Sequence, residues 1–169
     1  MRSFRLDTNN LLGGVMLAVG EMAPAFGGLA VVQGEIKSLT WRDIHGGRAL
    51  ALFFEPDTET GCADHLLSLN DRSAEWKRLD ASALVVCPDT PDEILRGLEM
   101  RLKPAAFLLP ILADAEERVS STYEAVSSAG EALWGRILVD REGRVREVAL
   151  SDAPFPTDVD ALIRQWETL

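Results

Sequence analysis

The sequence predicts an α/β fold in which a parallel or mixed sheet is covered by helices on both faces, and three observations point to it. Leu50-Ala51-Leu52-Phe53-Phe54, within residues 48–54, is continuously apolar rather than alternating, as a strand buried on two faces should be. Residues 63–79 then set Leu66, Leu67, Leu69, Trp76 and Leu79 among Asp, Asn, Arg and Lys at helical spacing. A second apolar strand over 83–86 follows, and strand–helix–strand order is that of a crossover unit.

The other elements are read in chain order. Residues 1–17 are an undetermined lead, and residues 18–169 are expected to form a single domain. Gln33-Gly34-Glu35 separates two apolar stretches within residues 28–40 and predicts an N-terminal β-hairpin. Gly46-Gly47 delivers the chain into the first central strand. Pro88-Asp89-Thr90-Pro91 ends the second strand and caps a helix over 92–101, acidic in its first turn and basic in its last. A short apolar segment over 106–112 contains Pro110, and Asp114 is a fitting N-cap for a helix over 115–125. Asp140-Arg141-Glu142-Gly143 between residues 135–139 and 144–150 marks a second hairpin, and a final helix is expected over 158–167.

Composition narrows the partners. A formal net charge of −10 repels phosphate backbones and anionic lipid, so neither nucleic acid nor a membrane surface is expected. The apolar stretch Leu11 to Val19 is broken by Gly13 and Gly14, and Asp7 lies among the basic residues Arg2 and Arg5, which argues against a secretory signal. Two cysteines and two histidines, with no CxxC pair, suggest neither a structural metal nor a disulfide scaffold. The expected compartment is the reducing cytoplasm, and no cofactor is implied.

Cys62 stands between the strand that ends at Phe54 and the helix expected from about Ala63, after the loop Glu55-Pro56-Asp57-Thr58-Glu59-Thr60-Gly61. A helix N-terminus offers unpaired N–H groups and partial positive charge, which favour a reactive thiolate; the bland alternative is a small buried hydrophobe. His65 lies three residues on and can supply charge or a proton, or be only a solvated helix residue. Cys87 ends the second strand, so a right-handed crossover brings it to the sheet edge that Cys62 occupies; it is a candidate resolving thiol or an inert core one.

The order of these motifs resembles the peroxiredoxin family, of the alkyl hydroperoxide reductase/thiol-specific antioxidant type. The resemblance is carried by Val19-Gly20-Glu21-Met22-Ala23-Pro24-Ala25-Phe26, by Leu52-Phe53-Phe54-Glu55-Pro56 with Gly61-Cys62, by Pro110-Ile111-Leu112-Ala113-Asp114 with Val119 and Tyr123, and by Leu138-Val139-Asp140-Arg141-Glu142-Gly143. It implies a thioredoxin-like three-layer sandwich with a central sheet of about five strands, and a peroxidatic role for Cys62 supported by a threonine hydroxyl and an arginine. The chain departs from the family where that chemistry lies. Pro56 precedes Cys62 by one residue fewer than the pattern, Glu59 occupies the threonine position with Thr58 and Thr60 on either side, and Trp134 falls where the arginine is expected, with Arg136 two residues further on.

The resemblance therefore implies a divergent thiol peroxidase. Its substrate is a peroxide, an external thiol such as a thioredoxin-like protein recycles it, and it is a homodimer. The catalytic set is Cys62, Thr58, Thr60 and Arg136, modulated by Pro56, Glu59, His65 and Trp134. The altered loop and Trp134 keep open a thioredoxin-fold scaffold without peroxidase activity, and Cys87 keeps open thiol–disulfide exchange.

Overall fold

The computed structural model describes residues 3–4, 17–56, 64–154 and 157–169. The strands among them are β1 (Ser3–Phe4), β2 (Gly28–Val32), β3 (Glu35–Leu39), β4 (Ala49–Phe54), β5 (Ala81–Cys87), β6 (Ile111–Ala113), β7 (Trp134–Val139) and β8 (Val145–Ser151). The helices are α1 (Trp41–Ile44), α2 (Asp64–Asp71), α3 (Ser73–Arg78), α4 (Pro91–Glu99), α5 (Arg118–Thr122) and α6 (Val159–Thr168). The strands join in one sheet in the order β1-β8-β7-β4-β5-β6-β2-β3. Only β4–β5 and β5–β6 are parallel, so the sheet is mixed.

Eight strands among the described residues exceed the five expected. The hairpin does not stand apart: β2 pairs with β6 through Ala30–Leu112 and Val31–Ile111 and extends the sheet by two strands. Its reversal at Gln33-Gly34, with φ of 50° and 82°, is a two-residue turn of the kind that matches strand twist. The other edge gains the two-residue β1 against β8.

Strand β4 is central in both position and burial, for none of its six residues is more than 2% exposed. Ala49, Ala51 and Phe53 face one core with Leu66, Leu69, Trp76, Leu138, Leu162 and Trp166. Leu50, Leu52 and Phe54 face the other with Ile44, Tyr123, Ile137 and Val139. Continuous apolarity thus means what it predicted, a strand read alternately by two helical layers.

Two helices differ from expectation. The helix over 63–79 is broken at Arg72, whose ψ of 21° leaves the helical range. The carbonyl of Leu69, which an unbroken helix would give to Ser73, instead accepts from Arg72 N (3.1 Å) and from the indole Nε1 of Trp76 (3.2 Å), while the Arg72 guanidinium reaches Glu75 and Asp160 of α6. The helix over 115–125 contracts to α5, whose N-cap is Glu117 in the left-handed region. Asp114 still caps it from outside, accepting from Val119 N (3.1 Å), Ser120 N (2.8 Å) and Ser120 Oγ (2.8 Å). At α4 the Thr90–Glu93 capping box forms at the expected place.

Four of the residues quoted for the family resemblance, Pro24, Phe26, Phe54 and Tyr123, meet at the second core. Tyr123 Oη donates to the Pro24 carbonyl (2.6 Å), and its ring lies 5.5 Å from Phe26 and 5.7 Å from Phe54. Burial pushes the phenol pKa up, so this donor stays protonated.

Candidate active site

Cys62, Thr58, Glu59 and Thr60 lie outside the described residues. The borders of their segment are described, and both are anchored. On the entering side, Glu55 continues β4 by one step: its N–H donates to the Val86 carbonyl (2.9 Å). Its side chain projects to the face of Phe53, toward α2 and α6, and is buried, with 4% exposure. Pro56 follows, half-buried. On the leaving side, α2 begins at Asp64, which is exposed, and His65 turns inward. His65 Nε2 lies 3.2 Å from Glu55 Oε1, with the imidazole side chain only 11% exposed. A buried carboxylate and a largely buried imidazole therefore join the two described borders of residues 57–63.

Cys87 ends β5 at this same sheet edge, one residue past the Phe54–Val86 pair. It is fully buried; its thiol donates toward Asp89 Oδ2 (3.8 Å) and its carbonyl accepts from Asp114 N (2.8 Å).

Strand β7 brings in the other two candidates. It runs antiparallel to β4 with Gly135 opposite Phe54 and Arg136 opposite Phe53. Trp134 lies one step beyond, half-buried, beside the end of β4 from which the loop departs. Arg136 lies two residues deeper on the same face. Its side chain is 17% exposed, and Nη2 donates to Glu147 Oε1 of β8 (3.0 Å). The structure thus gathers Pro56, His65, Cys87 and Trp134 around one end of the sheet, and engages Arg136 with Glu147 below them.

Glu55 is the residue that the sequence reading passed over as part of the loop. The signal was present: a carboxylate directly after six apolar strand residues, on the parity of Phe53, must find a buried partner. Which partner it finds depends on the packing of α2.

Comparison with known proteins adds the following. The AhpC/TSA family model matches residues 19–148. Peroxiredoxin-4 of Dictyostelium discoideum is 30% identical over 158 residues, which is 90% of this chain and 61% of that protein. The chain thus spans about three fifths of the length of that relative. Thioredoxin peroxidase of Echinococcus granulosus is 27% identical over 150 residues, covering 86% of this chain and 78% of that protein. Among solved structures, AhpC of Enterococcus faecalis matches with a TM-score of 0.80 at 21% identity, covering 90% of this chain and 92% of its own. The reduced 2-Cys peroxiredoxin of Plasmodium vivax gives 0.77 at 19%, covering 88% and 80%. At these identities the structural likeness speaks for the fold, which is thioredoxin-like.

Proposed function

Since the chain belongs to the AhpC/TSA family, the peroxiredoxins, we propose that it is a thiol-dependent peroxidase acting through Cys62. The observation that carries this reading is that Cys62 falls in the short segment between the end of the central strand β4 and the start of α2, two residues before Asp64. A thiolate there would be stabilised by the amides and dipole of the helix start. It attacks one oxygen of a peroxide, the O–O bond breaks, and Cys62 becomes a sulfenic acid that an external thiol, such as a thioredoxin-like protein, returns to the thiol. Thr58 or Thr60 donates a hydrogen bond to the peroxide, and Arg136 offers positive charge once released from Glu147. The protein acts as a homodimer in the cytoplasm.

A second reading is favoured by one observation. Arg136 is already engaged with Glu147, and Trp134, at the sheet end beside the last residue of β4, takes the position where the resemblance expects a cation. On that reading the fold is kept as a binding or scaffold module. Stopped-flow mixing of the reduced protein with hydrogen peroxide separates the two. The peroxidase reading expects a rate well above that of free cysteine and, by mass spectrometry, a sulfenic acid on Cys62 alone; a rate no better than free cysteine leaves the scaffold. A Cys62–Cys87 disulfide in the intact mass would instead indicate thiol–disulfide exchange.

A further inference from the structure

We infer that β5 carries, at its end away from Cys87, a cleft that binds an apolar amino-acid residue blocked as an amide at both ends, as a small molecule or within a peptide. The inference starts from a gap in the sheet. Strand β6 pairs only with Val85, Val86 and Cys87, so Ala81 to Leu84 have β4 on one side and no strand on the other. The space there, about 310 Å³, is walled by Val32, Leu39, Ile44, Trp76 and Leu108. Trp76 belongs to one core and Ile44 to the other, so the cleft passes through the plane of the sheet instead of lying on one face. It is about ten times one water's share of liquid volume, so a single bridging water does not fill it.

The hydrogen bonds show why the sheet stops here. Val85 N donates to the Pro110 carbonyl (3.0 Å) and the Cys87 carbonyl accepts from Asp114 N (2.8 Å), so alternate residues of β5 turn their backbone groups toward β6. In the same register the Ala83 carbonyl faces position 110, where proline has no N–H to give. Ala83 is 4% exposed, and among the described residues neither its N–H nor its carbonyl has a partner on that side. Buried backbone groups are nearly always paired, whether with protein, water or a ligand. The rim cannot supply the pair. Asp43 accepts from Thr40 N (2.8 Å) and Thr40 Oγ1 (2.9 Å), and Ser82 Oγ accepts from Arg48 Nε (2.7 Å), while Gln33 is exposed at the mouth.

The exposed pair on Ala83 defines the occupant. An extended residue presents its own N–H and carbonyl on one edge, and two such residues exchange both bonds in an antiparallel ladder. The apolar walls favour a branched aliphatic or aromatic side chain and exclude a charged amino or carboxylate terminus, hence the amide at each end. Nothing in this binding requires the peroxidase reading of Cys62.

The test titrates N-acetyl-leucine N-methylamide into the isotope-labelled full chain and follows its amide and indole resonances. The Ala83 amide should shift together with Leu84 and the Trp76 indole, and hydrogen exchange at Ala83 should slow by roughly tenfold or more at saturation. Methylating the leucine nitrogen of the compound removes the donor to the Ala83 carbonyl and should weaken binding by roughly tenfold or more. Pro110→Ala, which restores an N–H opposite that carbonyl, should weaken the original compound in the same direction. A capped Ala-Leu-Ala tripeptide separates the two sources: tighter binding than the single residue assigns the cleft to a peptide, weaker binding assigns it to a small amide, and either upholds the site. No shift at Ala83 up to millimolar concentration, shifts that map elsewhere, equal binding of the N-methylated compound, or unchanged affinity in Pro110→Ala would each overturn the proposal. If Pro110→Ala does not fold, the two compounds on the parent protein carry the same decision.

Discussion

Asp140 and Glu55 are both buried carboxylates at strand ends, 5% and 4% exposed, yet the fold holds them in opposite ways. Asp140 follows β7 and Glu55 follows β4; because these strands are antiparallel, the two residues sit at opposite ends of the sheet. Asp140 finds its partners within six residues. Oδ1 accepts from Glu142 N (3.0 Å) and Arg144 N (2.9 Å), and Oδ2 accepts from Arg146 Nε (2.6 Å). Burial alone would push its pKa up, but the Arg144 amide, the Arg146 guanidinium and the Glu142 amide outweigh it and hold the group below the usual carboxylate range. Glu55 instead pairs with His65, ten positions further along the chain at the start of α2. One carboxylate builds a turn; the other ties two elements together at the site.

The comparison predicts a ranking of stability effects. His65→Ala should be the most damaging, at about 3 kcal/mol in urea unfolding, because it removes the imidazole that pairs with a buried carboxylate and joins the end of β4 to α2. A loss below 1 kcal/mol would mean that the pair is no clasp.

Asp140→Ala comes next, at about 2–3 kcal/mol, since it strands two turn amides and frees Arg146. Its acid behaviour has a definite sign. A depressed folded pKa means that Asp140 contributes stability above the ordinary unfolded value of about 3.9, and that this contribution is lost as pH falls through the folded value. Asp140→Asn should therefore flatten the acid limb of a stability–pH profile below about pH 4. An unchanged acid limb would remove Asp140 as its source.

Gly143→Ala tests the same turn through the backbone. Its φ of +88° suits glycine, and an added Cβ would lie 3.0 Å from Met22 Cε, so a loss of about 1–2 kcal/mol is expected by thermal or urea denaturation. Arg146→Ala should have the smallest effect, about 0.5–1 kcal/mol, because the guanidinium is half exposed and the two amides still hold Asp140. Were Arg146→Ala to equal Asp140→Ala, the ion pair rather than the turn would be the main support.

The parts of this protein legible in its residues are those whose partners lie a few positions away. Apolar β4 could only be a covered strand, Gln33-Gly34 could only be a tight reversal, and Thr90 with Glu93 could only open a helix. Asp-x-x-Gly after β7 belongs to the same class, because its hydrogen bonds close within the turn. The candidate site was legible only in outline. Cys62, His65, Cys87 and Trp134 were singled out, but the neighbours of each were not readable from spacing.

Sequence alone determined the order of the main strands and helices, the central place of β4 and the family to which the chain is similar, because propensity, patterning and turn chemistry act over a few residues. Only the tertiary structure decided that the hairpin joins the sheet through β6, that the long helix breaks where the Trp76 indole takes the Leu69 carbonyl, and that Glu55 meets His65. Those outcomes are competitions between local hydrogen bonds and distant partners. Each distant partner is brought within reach only when the sheet and its helices have packed.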